Sequence, residues 1–270
     1  RIFKLVNNNT KSLMEVKIRN YLKEKLSNKN KTLGCWTSLD NEITSELLAL
    51  VGFDFLLIDH EHGYGDVSGI TRQLQSIKET NCSALVRMPR DDEVYVKKSL
   101  DSGVNCLMFP AVNNKREAKN IVEMCRYAPN GYRGVAPGMI RATNYGLDIK
   151  RYFDNFEKSL LIACQIETLE GVSNIREIGE VEGVDMLFIG PMDLSANMGK
   201  FGKFEDPSFV KTIEEAKEKI FQSKKFSGII PYGNYSWKDL FDSGFDLTTA
   251  GTEIALLRES AKSIINEFKN

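Results

Sequence analysis

Both histidines of this 270-residue chain stand in one tetrapeptide, Asp59-His60-Glu61-His62, directly after the apolar run Phe-Leu-Leu-Ile. Imidazoles and carboxylates gathered where an apolar segment ends suit proton transfer near neutral pH. Three other apolar runs end in polar groups: one in Arg87, one in Gln165 and Glu167, and one in Gly190-Pro191-Met192-Asp193. Each has an ordinary reading. His-x-His is a frequent accident and fits a solvated turn, Arg87 fits an exposed strand end, and Asp193 before Leu-Ser-Ala looks like a helix N-cap. Glu167 is harder to place, because an ionised carboxylate closing a buried strand is costly without a cation or hydrogen-bond donors. Two carboxylates from neighbouring strands, with no cysteine and few imidazoles beside them, suit a hard divalent ion with open positions, Mg2+, Mn2+ or Co2+. No predicted strand ends in Lys, so a Schiff-base route has no nucleophile and the set points to metal-stabilised carbanion chemistry.

Residues so far apart in the chain meet only if the strands carrying them are neighbours. From Thr32 onward, short apolar runs alternate with segments of helical period, the pattern of consecutive βα units on a parallel sheet. Eight candidate strands cover 32–37, 54–59, 83–88, 105–110, 160–167, 184–190, 226–230 and 246–250. Most are continuous apolar runs, as strands covered on both faces should be, which predicts a closed (β/α)8 TIM barrel of the α/β class. Helices are predicted over Val67–Glu79, Glu93–Ser102, Lys115–Tyr127, Pro207–Gln222 and Glu253–Phe268, with an extra N-terminal helix from Leu13 to Leu26 closing the barrel bottom. Gly52, Gly103, Gly183 and Gly244 each precede a strand, where glycine ends a helix. The connection Ala128–Phe156 reads as irregular, and a loop of that length is usually functional or covers a site. In a TIM barrel the site lies at the C-terminal strand ends, where the polar residues collect.

Thirty-six basic and 37 acidic residues give a net charge of −1, so no global field recruits nucleic acid or an anionic membrane, and a small-molecule partner is expected. Five cysteines without CxxC spacing, Cys35, Cys82, Cys106, Cys125 and Cys164, lie mostly in apolar runs and fit reduced thiols in a cytoplasmic protein. No apolar stretch approaches the roughly 18 to 20 residues that span a bilayer. Residues 1–12 are Asn-rich and lack acids; they read as a frayed tail before one domain over 13–270, with a processed presequence as the alternative.

Several segments in order resemble the HpcH/HpaI family of class II pyruvate aldolases, which includes 4-hydroxy-2-oxoheptanedioate and 2-keto-3-deoxy-L-rhamnonate aldolases. They are GCW at 34–36, GFDFLLIDHEHG at 52–63, LVRMP at 85–89, SLDSGVNCLMFPAV at 99–112, RYAPNGYRGVA at 126–136, QIET at 165–168 and GVDMLFIGPMDLS at 183–195. The resemblance implies a barrel of the phosphoenolpyruvate/pyruvate type, with Glu167 and Asp193 as ligands of a metal that also chelates pyruvate. It makes Arg87 the stabiliser of the enolate oxygen, His62 the general base and Asp101 the carboxylate that raises its basicity, with Asp59 in the same catalytic set. Gln165, Gly190, the Met192 backbone and Asp193 would contact pyruvate, and Trp36 would line the aldehyde side. His60 stays outside the core set, and the segment Pro137–Asn144 gives no aldehyde-pocket assignment. The family further implies a homo-oligomer, a hexamer, with the Glu253–Phe268 helix at an interface.

The activity so implied is reversible cleavage of a 4-hydroxy-2-oxo acid to pyruvate and an aldehyde. A metal-dependent oxaloacetate decarboxylase or a macrophomate-synthase-like enzyme on the same barrel is the alternative, and a barrel that binds without catalysis is a third class. Fold analogy cannot choose among them.

Overall fold

The computed structural model describes residues 20–269. The tail over 1–12 and residues 13–19 of the expected first helix lie outside the described residues. The described part of that helix is α1 (Tyr21–Ser27), whose N-cap Asn20 accepts a hydrogen bond from the Lys23 amide.

Eight strands follow: β1 (Thr32–Thr37), β2 (Phe55–Asp59), β3 (Ser83–Arg87), β4 (Cys106–Phe109), β5 (Leu161–Ile166), β6 (Met186–Ile189), β7 (Phe226–Ile229) and β8 (Leu247–Thr252). They pair in parallel in sequence order, and β1 pairs with β8, so the sheet is a closed barrel. The helices between them are α2 (Glu42–Val51), α3 (Val67–Ser76), α4 (Glu93–Asp101), α5 (Lys115–Cys125) and α6 (Ile149–Ser159). After β5 come α7 (Leu169–Ser173) and α8 (Ile175–Gly179), then α9 (Pro191–Asn197), α10 (Pro207–Gln222), α11 (Trp237–Asp242) and α12 (Glu253–Lys269). Gly52 ends α2 with φ of 110°, a left-handed conformation that costs other residues strain, and Gly103 and Gly244 take the same conformation just past the C-caps of α4 and α11; Gly183 is also left-handed but lies in the turn beyond α8, which ends at Gly179.

The period-two alternation of the strands decides which residues can reach the site. In β2, Leu56 and Ile58 pack outward against the helices, while Phe55 and Leu57 point into the barrel; Asp59 continues that inward series at the C-terminal end. The same parity puts Leu85 then Arg87 inward on β3, and Leu161, Ala163 then Gln165 and Glu167 inward on and just beyond β5. Leu22 and Leu26 of α1 join the inner cluster, so apolar side chains fill the barrel from its N-terminal end and polar ones crown it.

The connection expected to be irregular over Ala128–Phe156 contains a 3-10 turn at Arg141–Thr143 and the helix α6. Its amphipathic sequence supports that helix, with Tyr152 and Phe156 buried four residues apart. Because it joins the end of α5 to the start of β5, it runs at the N-terminal barrel face: Arg141 donates to the Ser102 carbonyl just beyond α4. It therefore does not cover the strand ends that carry Glu167. Among the described residues, no helix is long and apolar enough to cross a membrane.

Candidate active site

The register of β2 on β3 sets Asp59 directly beside Arg87. Arg87 Nε and Nη2 donate to the two Asp59 carboxylate oxygens at 2.9 and 2.6 Å. Trp36 Nε1 donates to Asp59 Oδ2 at 3.1 Å, and the amides of Glu61 and His62 donate to Oδ1 at 3.0 and 3.2 Å. Burial alone would push the Asp59 carboxyl up, but Arg87, with Trp36 and the His62 amide, holds it below the usual carboxylate range. A carboxylate saturated in this way organises the loop and the guanidinium and has no lone pair left for substrate.

Trp36, expected on the aldehyde side, is buried under this pair, with the Arg87 guanidinium 4.6 Å above its ring. Its place on β1 points it into the lumen, so it supports Arg87 from below. The third Arg87 nitrogen, Nη1, faces Glu61 Oε2 at 2.6 Å, and that oxygen makes no aligned hydrogen bond. Burial raises the Glu61 carboxyl, which is the partner a substrate oxygen would displace. Sequence reading left Glu61 unassigned, although its parity with Asp59 was a usable signal.

His62 is exposed beside Glu61, and the imidazole charge opposes the rise of that carboxyl. His60 is buried, its Nδ1 2.5 Å from Tyr95 Oη on α4, and burial lowers its pKa. The two histidines thus divide: His60 braces the loop, and His62 is open to a ligand.

On the opposite side of the barrel mouth, Glu167 Oε1 accepts the Ala111 amide at 2.7 Å, and Oε2 accepts from Gln165 Nε2. Burial, and next the charge of Asp193, push the Glu167 carboxyl up to about 7. Asp193 is exposed in the first turn of α9, whose N-cap is Gly190, so it does not cap the helix as the ordinary reading required. A Cβ on Gly190 would lie 2.4 Å from Glu167 Oε2 and 2.8 Å from Gln165 Nε2, so glycine there keeps the carboxylate's space open. Gln165 Oε1 is buried without a partner. Two like charges and an orphaned carbonyl oxygen form a donor set that fits a hard divalent cation. Among the described residues, no group of three or more His, Cys, Asp or Glu is placed to hold a metal, so the chain would supply two carboxylates and leave positions for substrate and water. Met192 is exposed at the same helix start.

Asp101 is not part of this constellation within the chain. It ends α4, and helix ends in a βα barrel lie at the N-terminal face; there it accepts from Arg133 Nη2 at 2.5 Å. Beside Glu61, a groove of about 520 Å3 opens between Pro89, Arg90, Ala111 and Asn113.

Three comparisons with known proteins bear on this geometry. Residues 32–252 match the model of the family described as HpcH/HpaI aldolase/citrate lyase. A 5-keto-4-deoxy-D-glucarate aldolase from Escherichia coli O157:H7 is 34% identical over 250 residues, 93% of this chain and 97% of the relative. The crystal structure of an HpcH/HpaI aldolase/citrate lyase family protein from Burkholderia cenocepacia J2315 superposes with a TM-score of 0.89 at 29% identity, covering 93% of this chain and all of the other. Macrophomate synthase, at 21% identity and a TM-score of 0.80 over 94% of this chain and 89% of its own, shares the fold.

Proposed function

This chain belongs to the HpcH/HpaI aldolase/citrate lyase family, and from that premise we propose that it is a divalent-metal-dependent aldolase cleaving a 4-hydroxy-2-oxo acid reversibly to pyruvate and an aldehyde. The observation that carries this reading is Glu167, a buried carboxylate lifted to about 7 beside the charge of Asp193 and the unpartnered Gln165 Oε1. Glu167 and Asp193 would hold Mg2+, Mn2+ or Co2+, with Gln165 and the Gly190–Met192 backbone at the pyruvate end. When bound, the cation supplies Lewis acidity that polarises the keto group.

The chain's own groups then do the rest. His62 takes the proton of the C4 hydroxyl as the C3–C4 bond breaks, and the bond's electron pair moves through C3 and C2 onto the keto oxygen. Arg87, held rigid by Asp59 and Trp36, turns Nη1 from Glu61 to that oxygen and stabilises the enolate charge. The proton then returns to C3, completing the methyl of pyruvate, while the aldehyde leaves. A 5-keto-4-deoxy-D-glucarate, numbered from its other end, is a 4-hydroxy-2-oxo diacid, so it heads the list of substrates. The groove beside Glu61 is lined by Arg90 but also by Asp91 and Glu117, which supports a polar aldehyde half.

The test is pyruvate release from a panel of such acids with each metal. Release above background with at least one acid and metal is expected, and none from any combination would overturn the reading. His62→Ala separates the decarboxylase alternative: aldol cleavage should fall on the order of 10²-fold to 10⁴-fold, whereas loss of CO2 from oxaloacetate should persist.

The exposed apolar residues Ile254, Leu257, Ile264, Ile265 and Phe268 of α12 support assembly through that helix, in a hexamer. A monomeric mass in solution would reject it. The five buried free thiols support a cytoplasmic location.

A further inference from the structure

Helix α12 is buried at one residue only, its first, Glu253. Its carboxylate folds back onto the β1–α2 loop: Oε1 accepts the amides of Ser38 and Leu39, each at 2.7 Å, and Oε2 accepts Thr44 Oγ1 at 3.0 Å. An acid in a first helical turn favours the helix dipole wherever it points. That effect does not require three donors from a segment more than 200 residues earlier in the chain.

The segment so held is packed against the loop that carries His62. Ser38 O accepts the Tyr64 amide at 2.9 Å. A Cβ on Gly63 would fall 2.1 Å from Asp59 O and 3.2 Å from Ser38 Cα, so the turn after Asp59 sits directly against Ser38. Farther along, a Cβ on Gly69 would strike Asp40 Oδ1 at 1.7 Å, and Gln73 Nε2 holds that oxygen at 2.9 Å. The two loops therefore pack as one block, braced by α3 on one side and by Glu253 on the other.

We infer that Glu253 is a positioning residue for the proposed reaction: it fixes the β1–α2 loop and, through Ser38 and Tyr64, the placement of His62 opposite Glu167. The inference rests on the aldolase reading for its kinetic consequence but not for its structural one. Glu253 touches no reacting atom. It makes the root of α12 part of the wall of the site, so the helix that projects from the barrel is mechanically continuous with the general base.

Three variants separate this role from a dipole effect. Glu253→Gln keeps an oxygen for both amides, and its amide nitrogen can donate to Thr44 Oγ1, while the charge is gone. Glu253→Asp keeps the charge but is one methylene too short to reach the loop. Glu253→Ala removes both. Positioning predicts that Gln stays within about threefold of the parent in kcat, while Asp and Ala lose on the order of 10-fold to 100-fold with KM for the oxo acid and affinity for Mn2+ little changed. A dipole effect predicts the reverse order, Asp above Gln. Hydrogen exchange reads the coupling without any turnover: the Tyr64 amide should exchange faster in Asp and Ala than in Gln or the parent. If Ala and Asp fail to fold, Thr44→Val removes only the Oγ1 contacts with Glu253 Oε2 and the Asn41 carbonyl and leaves both amide bonds to Glu253, and Tyr64 exchange should still rise. Unchanged Tyr64 exchange in the folded variants would overturn the inference whatever the activity, whereas inactivity of the parent with altered exchange would overturn the aldolase reading and leave the tether standing.

Discussion

Among the described residues, Arg87 and Arg133 are buried arginines that each pair with an aspartate, Asp59 and the partly exposed Asp101, and the first pair alone lies at the candidate site. Both guanidiniums lie over aromatic rings: Arg87 over Trp36 at 4.6 Å, and Arg133 over Tyr127 and Phe156 at 4.5 and 4.9 Å. The difference lies in the nitrogens left over. Arg133 is wholly enclosed: Nη1 donates to Tyr152 Oη at 3.0 Å, and Nε, although unpartnered, is buried out of reach of a ligand. Arg87 commits Nε and Nη2 to Asp59 and leaves Nη1 against Glu61, a partly exposed residue whose Oε2 makes no aligned hydrogen bond. A buried ion pair by itself therefore says nothing about catalysis. The role proposed for Arg87 requires a donor that is rigidly aimed and can be turned to substrate.

The largest expected effect is on the side with the free donor. Arg87→Lys keeps a positive charge but cannot serve Asp59 through two nitrogens and the substrate through a third, so kcat should fall on the order of 10²-fold to 10³-fold. Turnover within a fewfold of the parent would remove Arg87 from the machinery. Arg133→Met sharpens the contrast from the other side. It should cost about 3 kcal/mol of unfolding free energy, the low end for a broken buried pair because Asp101 keeps some contact with water. Its turnover, measured well below its unfolding midpoint, should match the parent; a loss like that of Arg87→Lys would erase the distinction between the pairs.

A third prediction concerns the carboxylate opposite Arg87. The Glu167 carboxyl is raised from its ordinary 4.5 to about 7, so the metal-free folded protein holds this proton more tightly than the unfolded chain does. The associated stability is full below 4.5 and is lost as pH rises through about 7. A cation needs the ionised form, so stabilisation by Mn2+ should grow across the same window. Thermal midpoints measured with and without Mn2+ check this, and Glu167→Gln should flatten both trends; equal pH slopes in parent and variant would contradict it. The smallest effect is expected at the loop brace. Tyr95→Phe removes the hydroxyl beside His60 Nδ1 and should cost about 1 kcal/mol in stability, with kcat falling less than in Arg87→Lys. A larger kinetic loss would move His60 from brace to participant.

Much of this was legible in the chain itself. Apolar runs of strand length alternating with helical period specify a parallel barrel, because a sheet covered on both faces must be apolar throughout. Period two then carries Asp59, Arg87, Gln165 and Glu167 to one rim, and the order of βα units makes that rim the C-terminal one. Strand-end polarity and motif order are local properties, and they survive without coordinates.

Partner choice is not local, and there the tertiary structure decided. Asp101 lies near the other motifs in sequence, yet helix direction takes it to the far face and to Arg133. Trp36 keeps the inward parity expected of a site residue, but the depth of β1 in the barrel buries it beneath Arg87. The Ala128–Phe156 connection has the length of a lid, but its attachment between the end of α5 and the start of β5 sends it away from the mouth. Periodicity determines which face a side chain joins; only packing in three dimensions determines what it meets there, because a hydrogen bond or ion pair depends on ångström distances between segments that the chain separates by tens or hundreds of residues.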